Sequence, residues 1–280
     1  MKNIVSCISA KDLLTYAFQS SVYYNSETNI YIISKKFTKL ILTLILFFRK
    51  HNCNFIFVDE HNLLNYIGIN NFNHLITDLN KDLTPKKNWY KQQILKYAIG
   101  LYINCDYIII DADTFPTQIN NLVNLSFKTR FFNAETSGIY MPYEETFNTI
   151  FKTSGSSKYD FVCEVFPIEI KALKNMISQI ELVNNDLWYN VIIKSSRHLI
   201  GFSEYQTYGR FCYENHVYNS LTIFPSNRHF GKSQLSIFKT LEKKYNFISF
   251  ESYDMPDNLT RILYYLLYKP YFFLTKLFKL

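Results

Sequence analysis

The stretch Tyr107-Ile108-Ile109-Ile110-Asp111-Ala112-Asp113-Thr114-Phe115 restricts this chain more than any other. Four apolar residues in a row, three of them β-branched, suit a short strand buried on both faces. Such strands belong to parallel sheets covered by helices, and ligands bind outside the carboxyl ends of those strands. Asp111 and Asp113 follow at once. In an extended segment alternate side chains share a face, so the two carboxylates stand together at the edge of a cleft. They repel each other unless a cation or a cluster of donors sits between them. A hard divalent cation that keeps coordination sites for phosphate oxygens meets that need. An Asp-x-Asp also serves as a plain helix or turn cap, so its surroundings have to decide.

Upstream, strands and helices alternate. Residues 3–9 predict a first strand, 11–23 a helix, 30–33 a second strand, 37–50 a second helix, and 54–58 a third strand ending at Asp59-Glu60. This alternation implies a parallel, doubly wound sheet with right-handed crossovers and helices on both faces. Asp59 would share the sheet edge with Asp111, where it either touches a nucleotide or caps the helix that follows.

Composition bounds the rest. The 280 residues suit one large domain or one domain with an appendage. An apolar share of 48% supports a sizeable core, and 7 Gly with 7 Pro leave little material for linkers. The net charge of +7 favours anionic partners such as phosphates or acidic lipid. Nucleic acid is disfavoured because the basic residues are dispersed and no nucleic-acid-binding motif accompanies them. The 5 cysteines lack a CxxC pair and read as reduced thiols of a cytoplasmic protein. Residues 1–10 lack the length and apolar core of a signal peptide. The apolar run 40–48 is too short to cross a bilayer and predicts a buried helix.

A helix over 89–103 precedes the Asp111 strand, with Ile94, Leu95, Ala98 and Leu101 as its packing stripe. Gln92, Gln93 and Lys96 fall beside that stripe and would face cleft or water. After the aspartates, 130–136 predicts a strand, Ser137-Gly138 a turn, and 143–151 a short helix. The Ser/Gly-rich segment 153–158 is a candidate mobile lid. Residues 168–181 predict another helix, and Asn184-Asn185-Asp186 a cap for a helix over 187–195. Then come the polar and aromatic patch 202–209 and the late segment Asn227-Arg228-His229-Phe230-Gly231-Lys232.

The last stretch differs in character. Residues 259–280 carry Arg261, Lys269, Lys276 and Lys279 among aromatic residues, with no acid after Asp257. Pro270 divides it into two short amphipathic helices. Such helices either pack on a core or lie on an anionic membrane surface, and the absence of acids favours the membrane. The chain therefore divides into a catalytic-type α/β domain, 1–256, and a membrane-associating tail, 257–280, at the inner face of the cytoplasmic membrane.

These pieces together resemble a bacterial glycosyltransferase of the GT-A type. More narrowly they are similar to a family of glycosyltransferase-like proteins found with bacterial surface-polysaccharide genes. Trp89, Gln92, Gln93 and Lys96 carry the likeness ahead of the strand, followed by Asp111-Ala112-Asp113-Thr114 and Ser203-Glu204-Tyr205-Gln206-Thr207-Tyr208-Gly209. His229-Phe230-Gly231-Lys232 is similar to, but shorter than, a motif of the retaining glycogenin-like galactosyl- and glucosyltransferases. Asn185-Asp186-Leu187 through Asn190 resembles that group's acidic segment before a helix.

The resemblance implies a GT-A-like (Rossmann-like), mostly parallel central sheet and transfer of a sugar from a nucleotide-diphosphate-sugar donor. The acceptor it implies is a glycan or lipid-linked glycan of the bacterial surface, lipooligosaccharide or capsule. Asp111, Asp113 and His229 would hold Mn²⁺ or Mg²⁺. Lys232, Gln93, Lys96, Asp59 and Trp89 would contact the donor, with Lys232 on the leaving diphosphate. Glu204, with Asp186 in reserve, would be the base for the acceptor hydroxyl or a ligand of the sugar. A nucleotidyltransferase also uses paired aspartates on an α/β sheet, but residues 6–11 lack its Gly/Arg-rich phosphate loop. A degenerate transferase fold acting as a membrane-bound assembly partner is the non-enzymatic alternative.

Overall fold

The apolar runs form the strands. The computed structural model describes residues 2–8, 28–36, 38–40, 43, 54–112, 114–116, 129–132, 139–163, 165–218, 220–223, 226–227 and 247–249. The strands among them are β1 (Lys2–Cys7), β2 (Thr28–Ser34), β3 (Asn54–Asp59), β4 (Tyr107–Ile110), β5 (Thr114–Pro116), β6 (Thr129–Phe132), β7 (Val165–Ile168), β8 (Ser220–Ile223), β9 (Ser226–Asn227) and β10 (Phe247–Ser249). Five build a mostly parallel central sheet, flanked by helices, in the order β3-β2-β1-β4-β7. The helices are α1 (Glu60–Tyr66), α2 (Phe72–Asn80), α3 (Lys87–Ile103), α4 (Met141–Phe151), α5 (Ile170–Asn184), α6 (Trp188–Ser195) and α7 (Glu204–Glu214). A 3₁₀ turn, Lys81–Lys86, joins α2 to α3. The helix expected over 11–23, most of that over 37–50, the turn at 137–138 and the whole tail 257–280 lie outside the described residues.

Two compact units divide the chain. The first comprises Met1–Phe57, Ile110–Leu125 and Pro225–Leu280. Within it β1 pairs in parallel with β2, from Lys2 opposite Thr28 to Cys7 opposite Ile33. Ile4, Val5, Ile30, Ile32 and Ile33 are all buried. Ser6 is buried with them, and its hydroxyl donates to the Ile110 carbonyl at 2.7 Å. Asparagine is a poor strand residue, yet one sits near the start of each of the first three strands. Their amides join in a ladder: Asn54 Nδ2 donates to Asn29 Oδ1 at 3.1 Å, and Asn29 Nδ2 to Asn3 Oδ1 at 3.3 Å. A small sheet completes this unit, with β10 antiparallel to β5 and parallel to β9.

The second unit comprises Val58–Ile109 and Ser126–Phe224. Its centre is α3, where Tyr90 and every residue from Gln93 to Gly100 are buried. Apolar residues lie all round this helix rather than in one stripe, as expected of a helix in the interior. The helix ends at Asn104, in the left-handed conformation with φ 51°. Tyr107 at the start of β4 lies against α3, its hydroxyl donating to the Lys96 carbonyl at 2.7 Å. Gly100 makes room, because a β-carbon there would come within 2.6 Å of the Tyr107 ring. All four residues of β4 are buried, as its composition requires.

β7 is a strand that the sequence reading does not predict, and its last residue, Ile168, is where that reading starts a helix. Its Pro167 cannot donate to a neighbour, and β7 sits at the end of the five-strand order, where that costs nothing. The helix begins only at Ile170. Asn185 terminates α5 in the left-handed conformation instead of capping α6. Gly209 on α7 packs against Phe161 so closely that an added β-carbon would overlap the Phe161 Cβ and Cγ. Alanine gains roughly 1 kcal/mol of helix propensity over glycine, whereas forcing apart a buried contact costs about 1–3 kcal/mol or more. Gly209→Ala is therefore expected to be net destabilising; an unchanged or raised urea midpoint would refute the tight contact.

Candidate functional site

Asp111 leaves the carboxyl end of β4 half-buried, and its carbonyl accepts from the Thr114 N–H at 3.0 Å. The chain then enters β5. Phe115 of β5 stands opposite Ile248 of β10, and Ile248 in turn stands level with Asn227, the last residue of β9. β9 and β10 run the same way, and β5 runs against them. The start of β5 and the end of β9 therefore lie at one end of this three-stranded sheet, two strand spacings or about 10 Å apart. The first follows Asp113 in the chain; the second leads into Arg228-His229. Asp113, His229 and Lys232 themselves lie outside the described residues, and among the described residues no three metal-binding side chains come together.

Two buried ionic nodes sit in the second unit, both on α7. In the first, Lys96 Nζ donates to Glu204 Oε1 at 2.6 Å and to the Tyr205 hydroxyl at 2.9 Å. The ammonium also lies 4.5 Å from the Tyr205 ring centroid. Gln93 Oε1 accepts from the Glu204 N–H at 3.3 Å, and the Tyr97 hydroxyl donates to the Glu204 carbonyl at 2.5 Å. Lys96 is 3% exposed and Glu204 1%. The sequence places Gln93 and Lys96 in water or cleft; the structure places them inside, because α7 brings a matching carboxylate. Glu204, expected in the cleft as base or sugar ligand, is buried in this ion pair.

The second node escaped the sequence reading altogether. Glu144 is fully buried and accepts from Arg210 NH1 at 2.7 Å, Gln206 Nε2 at 2.8 Å and the Ser157 N–H at 2.5 Å. Arg210 also reaches Glu214 through Nε at 2.7 Å and lies 4.0 Å over the Phe147 ring. Gln206 Oε1 accepts from Phe161 N–H at 2.7 Å, and Asn148 Nδ2 donates to the Gly155 carbonyl at 2.7 Å. The segment expected as a lid, 153–158, is thus tied at Gly155 and Ser157, and the chain just beyond it at Phe161.

The remaining candidates stand at the surface. Asp59 caps α1, accepting from the His61 and Asn62 N–H groups at 3.0 and 3.2 Å. Asp186 accepts from Lys194 Nζ at 2.6 Å, Asn190 Nδ2 at 2.9 Å and the Leu187 N–H at 2.8 Å. The Lys194 ammonium, then the Asn190 amide, hold its carboxyl below the ordinary carboxylate range. Asp186 therefore stays ionised, which suits an acceptor of hydroxyl hydrogen bonds better than a base. Trp89 is half-buried, its ring edge-on to Tyr90 with centroids 4.9 Å apart.

Residues 34–232 match the sequence pattern of a family of unknown function, DUF6492. The chain belongs to this family. No curated protein matches this DUF6492 chain in sequence. Solved structures do match it in fold. Mouse xyloside xylosyltransferase 1 in its apo form aligns with a TM-score of 0.50 and 9% identity, over 89% of this chain and 97% of that one. The apo form of the glycosyltransferase GlyE from Streptococcus pneumoniae TIGR4 aligns with a TM-score of 0.50 and 14% identity, over 99% of this chain. The DUF6492 chain spans 63% of the length of that GlyE structure. The fold is thus GT-A-like, that of glycosyltransferases.

Proposed function

We propose that this DUF6492 protein is a glycosyltransferase that moves a sugar from a nucleotide-diphosphate-sugar to a glycan or lipid-linked acceptor of the bacterial surface. The observation that carries the reading is the layout of the small sheet: β5, entered from Asp111-Ala112-Asp113, starts at the end of the sheet where β9, leading to His229, finishes, with β10 between them. Two carboxylates and an imidazole form a donor set suited to Mn²⁺ or Mg²⁺. Asp111, Asp113 and His229 would hold the ion, which when bound neutralises charge on the donor's diphosphate.

The chain's own groups do the rest. The buried β4 fixes the backbone that presents Asp111, so little reorganisation is needed when the donor arrives. Lys232, three residues beyond His229, is the cation assigned to the leaving diphosphate. Asp186, ionised and partly open to water, is the carboxylate assigned to a sugar or acceptor hydroxyl. Glu204 would have to give up Lys96 to act as a base, so we assign it to positioning α7 on α3. The tail 257–280, with its basic and aromatic residues, is proposed to hold the enzyme at an anionic membrane on the cytoplasmic side.

A thermal-shift screen of nucleotide-sugars with and without Mn²⁺ tests this reading. A donor that binds the folded protein raises its melting temperature, by an amount set by concentration over Kd. The expected result is a shift with one class of nucleotide-sugar that depends on the metal. A flat response across uridine, guanosine and cytidine sugars, with and without metal, would leave the scaffold reading in its place.

A further inference from the structure

The first turn of α4 and the segment 198–201, both in the second unit, carry an aromatic and apolar patch that packing among the described residues does not explain. Tyr140 is 50% exposed, Met141 56% and Leu199 49%. The Tyr140 ring meets the Tyr143 ring edge-on, with centroids 4.9 Å apart. Beneath them Tyr90 is buried, its hydroxyl donating to the His198 carbonyl at 3.1 Å and accepting from the Gly201 N–H at 3.2 Å. Burial raises the Tyr90 phenol above its ordinary range, and nearby Tyr140 adds to the rise. On the rim His198 Nε2 and Glu145 Oε2 lie 2.9 Å apart, and Glu145 follows Met141 by one helical turn.

We propose that this patch is a saccharide-binding platform. It rests on the reading of the chain as a sugar transferase and deepens it by naming where a glycan acceptor is held. A sugar ring offers an apolar C–H face and a rim of hydroxyls. The tyrosine rings and Met141 match the face, since aromatic side chains combine a large apolar area with a polar tip. Glu145 and His198 match the rim, because each keeps hydrogen-bonding capacity beyond the bond between them. The occupant follows from charge as well. The Glu145 carboxylate on the rim of the patch opposes an anionic membrane, whereas a neutral polyhydroxyl ligand meets no such penalty. Exposed apolar clusters bounded by polar groups are a mark of ligand or partner surfaces.

Tryptophan fluorescence reads the platform directly. The chain has 2 tryptophans, of which Trp188 is buried and Trp89 packs on Tyr90 at the patch. Titration of the full chain with lactose, maltohexaose and chitohexaose is expected to give a saturable change with at least one of them. Tyr140→Ser and Met141→Ser, both at exposed positions, should weaken that affinity about tenfold, with the melting temperature and the response to nucleotide-sugars unchanged. No saturable change with any of the three sugars overturns the platform, as does an affinity indifferent to both substitutions. Tyr140-dependent binding to anionic vesicles, or Tyr140-dependent dimerisation in sedimentation velocity, without saccharide binding, overturns it in favour of those occupants. Saccharide binding without any nucleotide-sugar response keeps the platform and removes the transferase reading instead.

Discussion

Asp111→Asn and Asp113→Asn are each expected to reduce donor turnover by about a hundredfold to a thousandfold, while the melting temperature of the protein without ligand stays put or rises. The size of the effect follows from what the carboxylates are proposed to do. Negative charge builds on the diphosphate as the sugar leaves, and an isosteric amide keeps the shape of the site but removes the charge that recruits a cation. Stability moves the other way, because paired carboxylates at a strand end repel when no cation is bound. Hydrolysis of the nucleotide-sugar found by thermal shift, followed with and without a chelator, measures this. Full turnover by Asp113→Asn in chelated buffer would remove the metal-dependent mechanism, and a collapse of the fold would assign Asp111 to structure alone.

The central sheet is legible in the sequence because its signals are local. Four consecutive apolar residues at 107–110 admit few conformations other than a strand buried on both faces, and the acids after it mark the strand's end. Asp59 at the head of α1 reads the same way, as a capping residue ahead of a helix. The small sheet is different. β9 and β10 have 2 and 3 residues, and β10 finds its partner β5 more than a hundred residues upstream. No periodicity can show in so few positions. The pairing that brings the start of β5 and the end of β9 to one end is a tertiary fact.

Charged residues inside the second unit were hidden by a different rule. A lysine or glutamate in a helix is solvated in most proteins, so Lys96 reads as facing cleft or water, and nothing in the sequence singles out Glu144 or Arg210. A stronger signal lay in the neighbours. Tyr90, Ile94, Leu95, Tyr97, Ala98 and Ile99 surround α3 on every side, leaving no polar face onto which Gln93 and Lys96 could turn. A helix with no polar face has to satisfy its charges internally, and each such charge therefore predicts an opposite charge on another buried helix. α7 hides its charge differently: Gln206, Arg210 and Glu214 share a face opposite Tyr205, Tyr208 and Cys212, which reads as a solvated side, yet Gln206 and Arg210 are buried.

Lys96→Met carries the largest expected loss of stability, because it leaves the Glu204 carboxylate buried at 1% exposure with its ion partner gone. Removing one partner of a buried ion pair costs about 3–5 kcal/mol, which corresponds to a fall of roughly 10 °C in melting temperature for a protein of this size. Replacing both partners by apolar residues of similar volume is often neutral, so Lys96→Met with Glu204→Leu should recover most of the loss. The Tyr97 hydroxyl and Gln93 bond to the Glu204 backbone and survive both changes, holding the start of α7 in place. The pair of variants also separates the two roles open to Glu204. If it positions α7, the double variant regains donor turnover along with its stability, and Glu204→Gln loses turnover only in step with its melting temperature. If it is the base, the double variant folds and stays inactive. Thermal melts and turnover on the same four proteins, wild type included, decide between them, because positioning makes activity follow stability and base catalysis uncouples the two.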